Sequence, residues 1–155
     1  EWNNLSDEIS SSVNLSTFRS LLLQRIRKPA NSIFGISNPP GIQHLTRLRL
    51  GLSHLKHHKF NHNFIDTLDP QCPCGFETES VSHFFLRCQL FQAERLILMN
   101  EILNIDPDIH LLDDISISNL LLYGDKKYDF HTNSKILSCS INFILSSKRF
   151  DGPLY

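Results

Sequence analysis

The sequence predicts a mainly α fold, a small helical domain with a Cys-x-Cys…His…Cys knuckle set between helices. Three observations predict it. Apolar residues recur three or four positions apart in several separate stretches, which is the period of one helix face. Pro, Gly and Asn/Ser-rich segments punctuate those stretches. Three of the four cysteines and one histidine fall within residues 72–88. At 155 residues one domain is the default. Its parts read as a helical segment with linker over 1–41, a basic helix plus a cysteine-rich unit over 42–105, and C-terminal helices over 106–155 that share the same core.

Taken in order, Ser6-Asp7-Glu8 reads as a helix start with acids in its first turn, behind Trp2 and Leu5. Ser16 can cap a helix over residues 16–28, where Phe18, Leu21, Leu22 and Ile26 keep helical spacing and Pro29 stops the run. Residues 29–41 read as a loop, with Pro39-Pro40-Gly41 its firmest break. One helix is expected over 42–58, burying Leu45, Leu48, Leu52 and Leu55 and weakened by Gly51. Ser80 can cap a short helix over 80–87. Residues 91–103 make another, with Leu96, Met99, Ile102 and Leu103 inward and Asp106-Pro107 at its end. An apolar helix over 115–123 closes at Gly124. The last, over 133–147, has Ile136, Leu137, Ser140, Ile141, Ile144 and Leu145 as its buried stripe.

Composition narrows the function. The chain is 41% hydrophobic and 20% charged with eleven Phe, too apolar for a disordered chain. It holds no run long and apolar enough for a membrane span and opens without a secretory leader, so a soluble intracellular protein is expected. It begins on Glu1 rather than Met, as a piece of a longer protein would. The net charge of −1 hides an asymmetry. Residues 9–65 carry eight basic residues and no acid, whereas residues 66–129 carry twelve acids and four bases. The halves can neutralise each other, or the basic half can face a polyanion. Five of the eight His lie in the basic half.

The knuckle carries the chemistry. Cys72-Pro73-Cys74-Gly75 is followed after eight residues by His83 and after four more by Cys88. Thiolate and imidazole donors in such a group suit one tetrahedral zinc ion. Pro73 fixes the turn and Gly75 lets amides approach the sulfurs. Two other readings compete: a disulfide, which needs an oxidising compartment and a strained ring at this spacing, and free buried thiols. Cys139 falls on a helix stripe as core; His54 and His62 are spare donors. A closed four-ligand site leaves no position for water, so the zinc, one per chain, is expected to be structural.

Beyond the cysteines, Glu79-Ser80-Val81-Ser82-His83-Phe84-Phe85-Leu86-Arg87-Cys88 and the upstream Leu45-Thr46-Arg47-Leu48-Arg49-Leu50-Gly51-Leu52-Ser53-His54-Leu55 with His58-Lys59-Phe60 resemble the zinc-binding region that follows the polymerase in reverse transcriptases of non-LTR (LINE-like, jockey-type) retrotransposons. Trp2-Asn3-Asn4-Leu5 is similar to the junction with the polymerase section, and residues 148–155 to the family's C-terminal ending. One residue rather than two between the first cysteines is a departure in the local loop. The resemblance implies a parent RNA-directed DNA polymerase working in a ribonucleoprotein of the nucleus or cytoplasm. No enzymatic activity is expected of this chain. It has no aromatic-x-Asp-Asp pair, and Asp113-Asp114 reads as a solvated turn or helix cap.

Two functions follow as expectations. In the first, Arg47, Arg49, Lys56, His57, His58 and Lys59 contact phosphates of template RNA or target DNA, held at a fixed angle by the zinc unit. Phe60 and Phe64 are then expected in the core, with base stacking the competing role. In the second, the chain is a structural module docking on the polymerase domain of its own polyprotein. A decayed copy with no present function has the same sequence signature. Basic residues clustered away from acids favour the first reading, and basic residues interleaved with acids the second.

Overall fold

The structure, a computed structural model, describes Ile33 and residues 35–151. The expected helices near Ser6 and over 16–28, the 2–5 stretch, the bases Arg19, Arg25, Arg27 and Lys28, and the tail beyond Asp151 lie outside the described residues. Five α-helices are described: α1 Pro39–Arg49, α2 Lys56–Asn61, α3 Gln92–Ile105, α4 Asp114–Tyr123 and α5 Phe130–Ser146. A widened π-type turn at His83–Arg87 and 3₁₀ turns at Gln89–Phe91 and Pro107–Leu111 join them. Among the described residues there is no strand beyond a single antiparallel bridge between Gln71 and Thr78, and no helix is long and apolar enough to cross a membrane.

α5 is the centre. It packs on α3, α1 and α4, and one apolar cluster runs from Ile33 to Phe150 through all of these elements. Its N-terminus is capped by Asp129, whose carboxylate accepts the Thr132 N–H at 2.7 Å. The buried face holds Ile136, Leu137, Ser140, Ile141 and Ile144 as expected, plus Phe143, while Leu145 is half-buried. α1 approaches α5 closely at Gly41, where a Cβ would sit 2.2 Å from Ile141 Cγ2. α4 starts on Asp113, whose carboxylate accepts the Ser116 N–H at 2.7 Å, and it ends at Gly124. Asp113-Asp114 is thus a helix cap.

Four expectations need correction. α1 begins at Pro39, not 42: the first helical turn has unused N–H groups, so two prolines start a helix there as readily as they end one. The single helix over 42–58 is two. At Gly51 (φ +70°) the Leu52 N–H reaches the Arg47 carbonyl at 2.9 Å and the Gly51 N–H the Leu48 carbonyl at 3.3 Å, a Schellman end. The register therefore resets, and Leu52 is exposed while Leu45, Leu48 and Leu55 are buried. In α3, Leu98 and Ile102 face the core and Leu96 faces out. That helix carries apolar residues on every side, so its periodicity does not select a face. Phe60 and Phe64 are exposed rather than core: α2 buries no residue at all, and Phe64, beyond its end, lies under the Lys59 ammonium.

Candidate metal centre

The first arm of the site is a turn closed by backbone pairing. The Cys72 N–H donates to the Glu77 carbonyl at 2.8 Å, the Glu79 N–H to Pro70 at 2.8 Å, and the Gly75 N–H to Cys72 at 2.9 Å. Inside that loop Cys72 and Cys74 turn their sulfurs to one side. The second arm starts on Ser80, whose hydroxyl accepts the His83 N–H at 3.1 Å. Four residues between His83 and Cys88 would set the two side chains about 140° apart around a regular α-helix. Instead the Cys88 N–H bonds to the His83 carbonyl at 2.7 Å, five residues back, and the chain leaves in extended conformation at Cys88. This widened turn brings Cys88 round to the histidine side.

Between His83 and Cys88, Phe84 and Phe85 are fully buried. Phe84 meets Phe143 at 5.1 Å, Phe91 at 5.2 Å and Phe150 at 5.4 Å between ring centroids. The site is therefore bolted to α5 by the residues that separate two of its own donors. Arg95 of α3 adds a clamp, donating from Nε to the Phe85 carbonyl at 2.9 Å and from Nη2 to the Cys88 carbonyl.

The four side chains named from their spacing converge. Their sulfur and nitrogen atoms all lie within 4.8 Å of one another. Cys72 Sγ is 3.6 Å from Cys88 Sγ, and Cys74 Sγ is 3.2 Å from His83 Nε2. A disulfide has its sulfurs about 2.05 Å apart, so these are four separate donors aimed at one point, as a metal ion needs. Three are buried; Cys74 is half-buried. Burial pushes the Cys72 thiol up to about 12 and raises Cys88. Burial acts the same way on Cys74, but N–H groups of Phe76 and Glu77 and the neighbouring thiols outweigh it and bring that thiol below its ordinary value. A cation held by these donors would offset the burial penalty by stabilising the thiolates of Cys72, Cys74 and Cys88.

The other candidate residues fare differently. His62 turns to the Gly51 carbonyl at 3.2 Å and neither it nor His54 joins the cluster. Cys139 packs against the core, and burial with the nearby Glu101 lifts its thiol to about 12. Of the six phosphate-contact candidates, Arg49 is drawn inward: Nε donates to the Leu122 carbonyl at 2.6 Å and the guanidinium lies over the Tyr123 ring. Lys56 pairs with Asp69 at 3.4 Å and Lys59 with Asp66. His58 Nδ1 meets Ser53 Oγ at 2.7 Å, and His57 meets Asn61 at 3.2 Å. Arg47 pairs with no acid among the described residues. Of the basic residues of α1 and α2, Lys56 and Lys59 thus face acids, Arg49 faces a backbone carbonyl, and Arg47 faces no acid.

Sequence reasoning missed Glu77, Glu79, Arg95 and Arg149. The buried Glu79 carboxylate accepts the Lys56 N–H at 2.6 Å, capping α2 from 23 residues away where Leu55 has no side-chain cap to offer. No local spacing marks such a residue. Compared with known proteins, this chain matches no family model, no curated protein and no solved structure.

Proposed function

We propose that the cluster holds one structural zinc ion and that the chain is a non-catalytic accessory domain of a non-LTR retrotransposon reverse transcriptase, docking on the polymerase body. The convergence of three sulfurs and one imidazole nitrogen within 4.8 Å carries the reading. Tetrahedral zinc, with bonds of about 2.3 Å to sulfur and about 2.0 Å to nitrogen, sets sulfur pairs roughly 3.8 Å and sulfur–nitrogen pairs roughly 3.5 Å apart. The separations of 3.6 and 3.2 Å lie close to these. Four protein donors leave no place for a reactive water, so the ion organises the fold. The surrounding turn has little regular structure of its own, and metal binding supplies on the order of 10 kcal/mol to such a unit.

Docking rather than charge recognition is favoured by the pairing of Lys56 and Lys59 with acids and by apolar side chains left outside, among them Leu96 and Ile97 of α3. Elemental analysis of the purified chain, with circular dichroism before and after chelation, tests the metal. One zinc per chain and loss of helix on chelation are expected; a metal-free helical protein overturns it. Co-purification with the polymerase section tests docking.

A second reading, binding of RNA or DNA, is favoured by one observation. Arg47 forms no ion pair with an acid among the described residues, which leaves its charge for a polyanion. An affinity for RNA or DNA falling steeply with salt selects this reading over docking.

A further inference from the structure

We infer that Glu77 is the positioning residue for the metal ligand His83, fixing the imidazole so that Nε2 faces the ion. The inference rests on the proposed metal site and goes beyond its four ligands. His83 is 1% exposed, with Nε2 turned to Cys74 at 3.2 Å. A neutral imidazole carries one N–H, so a ring that offers Nε2 to a metal must carry its proton on Nδ1. That Nδ1 is buried and makes no hydrogen bond, although Glu77 Oε2 lies 3.4 Å away. A buried N–H requires an acceptor. The Glu77 side chain, 43% exposed, has the freedom to close that gap by a small rotation.

Glu77 is held in place for this. Its carbonyl accepts the Cys72 N–H at 2.8 Å, and its own N–H is directed at the Cys74 sulfur. Its carboxylate lies between His83 and Arg87, whose Nη1 stands 3.4 Å from it, while Arg87 Nε lies 3.3 Å from Asp114 at the start of α4. One residue therefore bears on three of the four ligands, and its carboxylate is steadied from the solvent side by a guanidinium. A carboxylate behind a metal-bound histidine fixes the ring's tautomer and orientation and raises its basicity, and losing one weakens metal binding about 10- to 100-fold.

The experiment titrates zinc against a chromophoric chelator in wild type, Glu77→Ala and Glu77→Gln, with circular dichroism at saturating zinc and long-range ¹H–¹⁵N spectra of His83. Wild type is expected to show Nδ1 protonated and Nε2 metal-bound. Glu77→Ala is expected to bind zinc about 10- to 100-fold more weakly with its fold intact at saturation. Glu77→Gln keeps an oxygen acceptor and is expected to lose less. Affinity within twofold of wild type in both variants overturns the inference and leaves the metal site standing. So does a Glu77→Ala chain that stays unfolded at saturating zinc, which makes the residue a scaffold of the loop. A wild type that takes up no zinc overturns the metal site and the inference together.

Discussion

Arg149 grips Glu79 from seventy positions away, Nε to Oε1 at 2.7 Å and Nη2 to Oε2 at 2.8 Å. The same guanidinium donates to the His54 carbonyl at 3.1 Å. The fork fits the carboxylate in two parallel bonds, and the Glu79 side chain is 1% exposed. This pair joins the metal loop, the start of α2 and the end of α5 at one point. Arg149→Ala leaves the Glu79 charge buried and unpaired, and is expected to cost about 3 kcal/mol in chemical denaturation. Replacing both residues with apolar ones should cost less than the single change; an equal or larger loss would show that the pair itself, rather than the stranded charge, sets the stability.

Cys74→Ser and His83→Ala each remove one donor from a closed set. Both are expected to abolish stoichiometric metal binding in elemental analysis and to lower helicity, because Phe84, Phe85 and Phe143 are packed next to the ligands. A full complement of tightly held zinc in either variant would remove that residue from the ligand set.

Arg47 and Arg49 separate by role. Arg49→Ala loses the bond to the Leu122 carbonyl and the contact with Tyr123, and a drop of about 1–2 kcal/mol is expected. Arg47→Ala should leave the melting temperature unchanged and weaken any low-salt binding to RNA or DNA. Equal affinity with and without Arg47 would take α1 out of a nucleic-acid interface.

Gly41→Ala tests the closest helix contact. A methyl group placed 2.2 Å from Ile141 Cγ2 forces α1 away from α5. Overpacking of this kind costs about 1–3 kcal/mol, to be read as a lowered melting temperature.

Asp106 supplies an acid-sensitive contact. Hydrogen bonds from Lys127 and then Tyr128, with the Asp108 N–H, hold its carboxyl at about 2, below the usual 3.8. A group whose folded pKa is depressed stabilises the fold above its unfolded value and loses that contribution as pH falls through the folded one. Stability should thus decline between about pH 4 and pH 2, and Asp106→Asn should flatten that part of the profile in urea titrations. An unchanged profile would assign the acid sensitivity elsewhere.

Much of this was legible along the chain. The helices over 91–103, 115–123 and 133–147 are found as α3, α4 and α5 with ends shifted by three residues or fewer. Their signals are local: a repeating apolar face, an acid at the N-terminus, a glycine or a proline at the stop. The Cys72, Cys74, His83 and Cys88 cluster was legible for the same reason, because two donors in a turn and two at a helix end form arms whose reach depends on short spacings.

Elsewhere the local signals were ambiguous or silent. Pro39 can close a loop or open a helix. Gly51 can weaken a helix or end it, and that choice decided the exposure of Leu52. Period alone could not rank Leu96 against Leu98 on a helix apolar all round.

The sequence by itself determined which residues can form helices and which four can converge on a metal, since both depend on interactions within a few positions. Only the tertiary structure decided what the charges do. Arg49 turns inward to α4, Lys56 and Lys59 meet Asp69 and Asp66, and Arg149 crosses the fold to Glu79. Coulomb pairs and buried hydrogen bonds form between groups that packing happens to bring within a few ångströms, and no local pattern encodes that distance. For this reason a basic stretch that could face a polyanion in one dimension has, among its described residues, Arg49, Lys56 and Lys59 engaged by its own chain.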